Sequence, residues 1–164
     1  MGQAQNASEP SLPARPTGLR RLAFRLPILL YKLRLGFILG ERFMLLRHMG
    51  RKSGQLHETV VEVVARDPAE GSWTVAAAFG PKTDWYRNLR KHPATTVQVG
   101  GREFRVMAAF PDAEIGGEIM VRYAHAHPAA AKRIAAFLGH AVDGGPDDYR
   151  NLGQAIPFAV LTAM

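Results

Sequence analysis

The amino-acid sequence predicts an α+β protein in which a small mixed or antiparallel β-barrel carries helices on its outside. Five short runs rich in Val and Thr follow one another between residues 43 and 109, separated by turn residues. Apolar residues then recur at helical spacing after Pro111, and the chain closes with one more strand-like run. Successive strands followed by successive helices are typical of α+β architecture.

The composition is that of one folded domain. The 164 residues are 47% hydrophobic and 21% charged, which is enough to bury a core. The chain contains no Cys, which excludes disulfide scaffolds, thiolate metal sites and Cys nucleophiles and fits a cytoplasmic protein. Its six His residues do not have the spacing of a zinc site, so we predict no metal site.

The positive charge is concentrated in the N-terminal third. The net charge is +7, and residues 15–52 hold ten of the 21 Lys and Arg residues but only one acid, Glu41. The rest of the chain is slightly acidic. This local basicity comes with neither a recognition-helix motif nor an aromatic stacking platform, so we predict no binding of nucleic acid.

The first part of the chain divides in two. Residues 1–18 are rich in Pro, Gly, Ser and Ala and predict a disordered leader ahead of a single domain over residues 19–164. Residues 19–42 predict a basic amphipathic lead-in of two short helices that separate near Pro27. Its uncharged runs are too short to cross a bilayer. The lead-in is expected to close the end of the barrel, and it is also suited to contact with an anionic membrane surface through residues 19–43, which would make the protein peripherally membrane-associated. The two roles are compatible.

The barrel strands are predicted from short runs and the turns between them. Gly100-Gly101 is a two-residue hairpin loop between the fourth and fifth strands. The five runs are FMLLRHM (43–49), ETVVEVVAR (58–66), SWTVAAA (72–78), TTVQV (95–99) and REFRVMAA (102–109).

Helices are predicted in the third connection and in the C-terminal part. Between the third and fourth strands, Thr83 to His92 predict a short helix that Thr83 or Asp84 caps and Pro93 ends. The later elements are helices over 112–127, 128–142 and 144–155 and a closing strand over 156–164.

The turn after the first strand is unusual. It reads GRKSG, with Arg51, Lys52 and Ser53 between two Gly residues, whereas a tight hairpin usually uses Asn-Gly or Gly-Gly. Arg51 offers a planar fork for phosphate oxygens, Lys52 a point charge and Ser53 a hydroxyl donor. Flanking Gly residues let backbone N–H groups approach an anion closely. The turn therefore predicts a site for the anionic part of a ligand; the alternative is a solvated basic turn.

Several motifs at their observed distances resemble one known family. They are GRKSG, HETVVEVV, AAAFGPKTDWYRNLRKHPATTVQVGG and DDYRNLGQAIPFAVL, which together span roughly residues 20–164. They look like the deazaflavin-dependent nitroreductase family. The resemblance implies a split β-barrel of FMN-binding-like type, with about six strands and peripheral helices, and the reduced deazaflavin coenzyme F-420 as cofactor.

The resemblance also implies a set of cofactor-binding residues. The phosphodiester and polyglutamate tail of the coenzyme make it a polyanion, which suits the basic turn. Two departures from the family are His57, where many relatives have Arg, and Glu58, which would oppose an anion if it pointed inward. Trp85 is open to an alternative role in the core. The implied residues are Arg51, Lys52, Ser53, Gly54, His57, Thr59, Ala77, Ala78, Phe79, Gly80, Lys82, Trp85 and Asn88.

The implied reaction is hydride transfer from the reduced deazaflavin to a small organic acceptor. Because the coenzyme carries the hard step, no catalytic side chain is required. Plausible acceptors are quinones, activated alkenes and nitro compounds, with Tyr149 contacting the acceptor or, alternatively, packing. The other hypotheses are an FMN-dependent split-barrel reductase and a nonenzymatic deazaflavin-binding carrier. A monomer and a homodimer are both open.

Overall fold

The computed structural model describes residues 40–164 of the chain. The predicted leader over residues 1–18 lies outside the described residues, and so does all but the end of the lead-in over residues 19–42. The proposed contact of residues 19–43 with a membrane surface therefore stays a prediction. Among the described residues, no helix has the length and apolar character needed to cross a bilayer.

The described part of the chain contains a closed barrel in which every neighbouring pair of strands is antiparallel. The strand order around the barrel is β1-β2-β3-β6-β5-β4, and β4 pairs with β1 to close it. The barrel agrees with the prediction of about six strands. The strands are β1 Phe43–Met49, β2 Leu56–Asp67, β3 Ser72–Ala76, β4 Ala94–Val99, β5 Arg102–Ala109 and β6 Phe158–Ala163.

The barrel interior is filled by side chains that alternate along each strand. On β1, Met44 and Leu46 point into this core, and so do Val75 on β3 and Val97 on β4. Successive side chains of a strand point to opposite faces, so the same face of β1 continues to His48. A barrel of this size is wide enough for side chains to fill, and a polar residue facing its interior therefore needs a partner.

Four helices are described, and they divide between two cores. They are α1 Asp84–Lys91, α2 Ala113–Ala126, α3 Pro128–Phe137 and α4 Pro146–Ala155. Helix α1 adds Trp85, Tyr86 and Leu89 to the barrel core. Helices α2, α3 and α4 share a second core, in which Phe158 of β6 is also buried.

The structure differs from the sequence-based expectations at a few element ends. Ala77 and Ala78 are not part of β3, because the chain turns there and Gly80 N–H donates to the Ala77 carbonyl at 2.7 Å. Helix α3 ends at Phe137 rather than at residue 142. Gly139 follows with φ of +75°, a left-handed conformation typical of the residue that ends a helix.

Helices α2 and α4 cross at very short range because both carry Gly at the contact. The faces meet at Gly116 and Gly117 on α2 and at Gly153 on α4, all three of them buried. A Cβ atom on Gly153 would lie 2.6 Å from the Met120 Cβ and 2.9 Å from the Gly117 Cα. The two helices can therefore lie this close only because Gly has no side chain at these three positions.

Replacing Gly153 by Ala is expected to destabilise the protein. The added Cβ forces α2 and α4 apart, and overpacking of this kind costs about 1–3 kcal/mol, partly offset by the better helix propensity of Ala, about 1 kcal/mol. The free energy of unfolding in urea measures the effect. Gly101→Ala is the control, because a Cβ there meets no atom within 4 Å and its φ is not positive. A Gly153→Ala variant as stable as the control would contradict the tight crossing.

Candidate functional site

The GRKSG turn is a compact loop between β1 and β2. The Gly50 N–H donates to the Gln55 carbonyl at 2.7 Å, and the Gly54 N–H donates to the Gly50 carbonyl at 2.8 Å. The Ser53 Oγ accepts from the Gln55 N–H at 3.3 Å. Because that bond uses a lone pair, the Ser53 hydroxyl still has its hydrogen to donate.

Gly50 allows two neighbouring side chains to approach the main chain closely. A Cβ atom at this position would lie 2.9 Å from the His57 Nε2 and closer still to the Ser53 Oγ. Gly50 is buried, whereas Ser53 and His57 are exposed. The missing side chain therefore lets the His57 ring and the Ser53 hydroxyl lie against the start of the turn.

Helix α1 holds Arg51 through both its main chain and its side chain. The Arg51 N–H and Nη1 both donate to the Asn88 Oδ1, at 3.1 and 2.9 Å, and Nη1 also lies 3.1 Å from the Asp84 Oδ1. The Lys91 Nζ donates to the Arg51 carbonyl at 3.1 Å. Positions 84, 88 and 91 form one stripe on a helix, so a single face of α1 makes all of these contacts.

The placement of Arg51 changes what its side chain can do. The sequence predicts a phosphate fork, but Nη1 of the guanidinium is bonded to α1 and the side chain is only 19% exposed. The Asp84 partner is 59% exposed, and ion pairs this exposed to solvent contribute only about 0–1 kcal/mol to stability. Asn88 is buried, so its bonds to Arg51 are the stronger part of the contact. A direct role of Arg51 in ligand binding stays a prediction.

His48 completes this network and was missed by the sequence analysis. Its Nδ1 lies 2.9 Å from the Asn88 Nδ2, and the His48 side chain is buried. Because the Asn88 Oδ1 already accepts two bonds from Arg51, its NH₂ group faces His48, and the imidazole must accept at Nδ1 and carry its proton on Nε2. The signal in the sequence was a polar residue on the inward face of β1, after Met44 and Leu46.

The surroundings of His48 keep its imidazole neutral. The pKa of His48 is lowered to about 4, mainly by burial and secondarily by the nearby His57, while Asp84 opposes the shift. The rings of His48 and His57 stack with their centroids 5.6 Å apart. At neutral pH His48 is therefore an acceptor for Asn88 and not a second cation behind the turn.

The exposed surface of the turn carries the remaining predicted donors. Lys52, Ser53, Gly54 and His57 are all exposed. Glu58 follows His57 on β2 and so points to the other face of the sheet, where its carboxylate pairs with Arg47 of the neighbouring strand β1 at 3.3 Å. The concern that Glu58 opposes an anion at the turn is thereby removed.

The second part of the predicted site is the loop from Ala77 to Thr83. Ala77 is buried, and its N–H donates to the Pro157 carbonyl at 2.8 Å. Gly80 has φ of +84° and accepts from the Thr83 hydroxyl at 2.7 Å, so Thr83 precedes α1 without the predicted side-chain cap. Ala78 and Phe79 are half-buried and Lys82 is exposed, which puts side chains of mixed character at the surface of this loop.

Three further predicted residues lie in or near the cores. Thr59 is half-buried on β2 opposite Leu46 of β1. Trp85 is buried in the barrel core, and Tyr149 is buried in the helical core. Burial favours the packing alternative for both aromatic residues. The structure thus brings the turn, His57 and Asn88 together, whereas Tyr149 belongs to a separate core.

The charges around the turn fit a phosphate-bearing cofactor. The two nearby carboxylates, Asp84 and Glu58, are each paired with an Arg residue, so neither is left to repel an anion. Lys52 and the Ser53 hydroxyl lie on the exposed surface. Among residues 40–164, no three His, Asp or Glu side chains come together as metal ligands.

The six-stranded barrel with its helical layer has the fold of a pyridoxine-phosphate-oxidase-like split barrel. It is similar to a protein related to general stress protein 26, of the pyridoxinephosphate oxidase family, from Clostridium acetobutylicum (8% identity, 82% of this chain and 83% of that one, TM-score 0.51). It is also similar to an F420-H2 dependent reductase (FDR-A; 19% identity, 74% and 95%, TM-score 0.51) and to a conserved hypothetical protein from Mycobacterium tuberculosis (16%, 81% and 79%, TM-score 0.51). Because these identities are all below 20%, the similarities show only that this chain shares the fold of these proteins.

The sequence places the chain more narrowly within this class. The sequence model of the F420H(2)-dependent quinone reductase family matches residues 34–129, and the chain belongs to this family. It is an oxidoreductase that uses F420H(2), the reduced form of coenzyme F-420, to reduce quinones. The predicted deazaflavin-dependent enzyme is confirmed, and quinones are the supported acceptor among those predicted. No curated protein matches the chain.

The burial of His48 predicts a specific loss of stability in acid. Its pKa is about 4 when folded and 6.5 when unfolded. Below pH 6.5 the unfolded chain therefore binds a proton that the folded protein does not. This residue should lower the free energy of unfolding by about 2 kcal/mol between pH 7 and pH 4.5.

Urea unfolding at the two pH values measures this loss. His48→Asn cannot be protonated in this range and should lose about 2 kcal/mol less than the wild type. The exposed His125 supplies the control, since His125→Asn should follow the wild type. Equal acid losses in the wild type and in His48→Asn would contradict the prediction.

Proposed function

We propose that the turn over residues 50–55 binds the anionic arm of F420H(2) during quinone reduction. The observation that supports this most strongly is the exposure of Lys52 and Ser53 on a turn whose neighbouring residue, Arg51, is held by α1. Charge-assisted hydrogen bonds are each worth about 1.5–3 kcal/mol, so the contacts of Lys52 and Ser53 would together strengthen cofactor binding by about a hundredfold or more.

The contribution of the protein to the reaction is then binding and orientation. When bound, F420H(2) supplies the hydride chemistry. The α1 contacts to Arg51 fix the turn in advance, so ordering the turn adds little to the cost of binding. The turn's Lys52 would attract the anionic arm and the Ser53 hydroxyl would donate to it, which orients the rest of the cofactor along the protein.

We propose that the loop from Ala77 to Gly80 lies beside the deazaflavin ring. Ala77 is buried and Ala78 is half-buried, and small side chains leave room for a flat heterocycle. Phe79 meets Phe137 of α3 edge to face, with their ring centroids 5.8 Å apart, and Phe137 is 53% exposed. An aromatic pair of this kind is a suitable surface for a quinone ring. We therefore propose a small aromatic quinone as the acceptor.

Lys52→Ala is expected to weaken the binding of coenzyme F-420 by about tenfold or more, since one charge-assisted contact is lost. Fluorescence titration measures the dissociation constant. Binding of the deazaflavin chromophore without its phosphodiester arm should be unchanged. The matched control is Lys132→Ala on α3, also an exposed Lys. Wild-type affinity of Lys52→Ala for the full coenzyme would remove the turn from the cofactor site.

Catalysed reduction of a small quinone is expected with F420H(2) as the electron donor. Oxidation of F420H(2) in the presence of menadione, followed by absorbance, should depend on enzyme concentration and exceed the rate with a nitroimidazole. FMN in its reduced form is the comparison donor. A protein that binds F420H(2) tightly but leaves the rate with menadione at the level without enzyme would favour the nonenzymatic carrier. Faster turnover of an activated alkene than of menadione would contradict the proposal that a small quinone is the acceptor.

A further inference from the structure

We propose that His48 is a positioning residue for the cofactor: through Asn88 it fixes the conformation of the turn at Arg51. This proposal rests on the proposed function of the turn. His48 is 5% exposed and faces Asn88 from the barrel end of β1. It therefore acts on the ligand site from the buried side of the turn. Hydrogen bonds connect His48 to Asn88, and Asn88 to Arg51 in the turn.

The first step of the argument is the orientation of Asn88. Its side-chain amide has nearly the same shape in two orientations, which exchange the oxygen and the NH₂ group. In the observed one, the Oδ1 accepts from the N–H and the Nη1 of Arg51, and the Nδ2 donates to the His48 Nδ1. In the other, the NH₂ group would face two donors of Arg51. A neutral His48 with a lone pair on Nδ1 stabilises the orientation that Arg51 needs.

The second step connects Asn88 to the ligand-binding surface. One of the two bonds is to the main-chain N–H of Arg51, so it fixes backbone next to Lys52 and not only a side chain. The carbonyl of Arg51 is held by Lys91 of the same helix. If Asn88 lost this orientation, the main-chain N–H of Arg51 would lose its acceptor. The exposed Lys52 and Ser53, which follow Arg51 in the turn, would then be less well ordered.

His48 also supports the turn from its other side. The His57 ring stacks on the His48 ring and lies beside Gly50, where the turn begins. The charged and titratable groups that face His48 are His57 from β2 and Asp84 from α1, with Arg51 beyond Asn88. Burial keeps the pKa of His48 near 4, so the Nδ1 lone pair is present at neutral pH.

The test compares two polar replacements of similar size. In His48→Asn, the side-chain oxygen takes the place of Nδ1 and can accept from Asn88. In His48→Gln, the longer chain puts its polar atoms near the place of Nε2, out of reach of Asn88. Coenzyme F-420 should bind about tenfold more weakly to His48→Gln, as expected for one lost hydrogen bond in this network, and within about twofold of the wild type to His48→Asn.

Two readouts separate positioning from a general structural role. The chromophore without its phosphodiester arm should bind equally to the wild type and to both variants. In turnover with menadione, His48→Gln should raise the KM for F420H(2) and leave kcat unchanged. A purely structural role would weaken the binding of both compounds, and that result would overturn the proposal.

A double-mutant cycle tests the route through Asn88. If His48 acts on the turn through this residue, His48→Gln should weaken F-420 binding in the wild-type background and add nothing in the Asn88→Ala background. Additive losses would show that His48 acts by another route and would overturn the proposal. His125→Gln, at an exposed His on α2, is the control for His replacement.

The outcomes for this proposal and for the proposed function are distinguishable. Weak binding by Lys52→Ala together with wild-type binding by His48→Gln overturns only the role of His48. Wild-type binding by Lys52→Ala overturns the proposed function of the turn. If His48→Gln does not fold, ¹⁵N NMR of the wild-type imidazole decides: a proton on Nε2 is expected, and a proton on Nδ1 would overturn the proposal.

Discussion

The candidate site depends on the contacts between helix α1 and Arg51. Asn88 and Lys91 bind the main-chain N–H and carbonyl of Arg51, while Asp84 and Asn88 bind its guanidinium. A turn between two strands would otherwise have many conformations available. Because folding already restricts this turn, the entropy of ordering it is lost on folding and not on binding a ligand.

The same helix connects the turn to the barrel core. Trp85 and Leu89 of α1 are buried in that core, while Asp84, Asn88 and Lys91 lie toward the turn. An eight-residue helix is short, and tertiary packing of its apolar face supplies most of its stability. The position of the turn is therefore set by the packing of the core. His48 strengthens this connection because it belongs to β1 and bonds to Asn88.

Pairing of charges decides where the positive charge of the chain is available. Arg42 pairs with Glu62, Arg47 with Glu58 and Glu103, and Arg66 with Glu41. These pairs lie at or near the surface and add little to stability. They do compensate several cations of the basic N-terminal third and its neighbourhood. Because these cations are paired, the exposed Lys52 is important for the positive potential at the turn. The net charge of +7 does not show this local distribution.

Much of the fold was predictable because its signals are local. β1 and β5 have the predicted bounds, and the hairpin at Gly100-Gly101 is present, since alternation and turn residues act within a few positions. The GRKSG turn and the family were also recognisable from short motifs. Element ends were less accurate at residues 77 and 138, where a tight turn and a left-handed Gly end the elements.

Local patterns were enough to predict the strands and the basic turn, and the resemblance of short motifs to a family implied the type of cofactor. The contacts of Arg51 with α1, the direction of Glu58 and the support of Asn88 by His48 became visible only in the folded protein. The physical reason is distance along the chain. Asn88 lies 37 residues from Arg51 and 40 from His48, so these contacts form only when the closed barrel brings α1 against the end of β1.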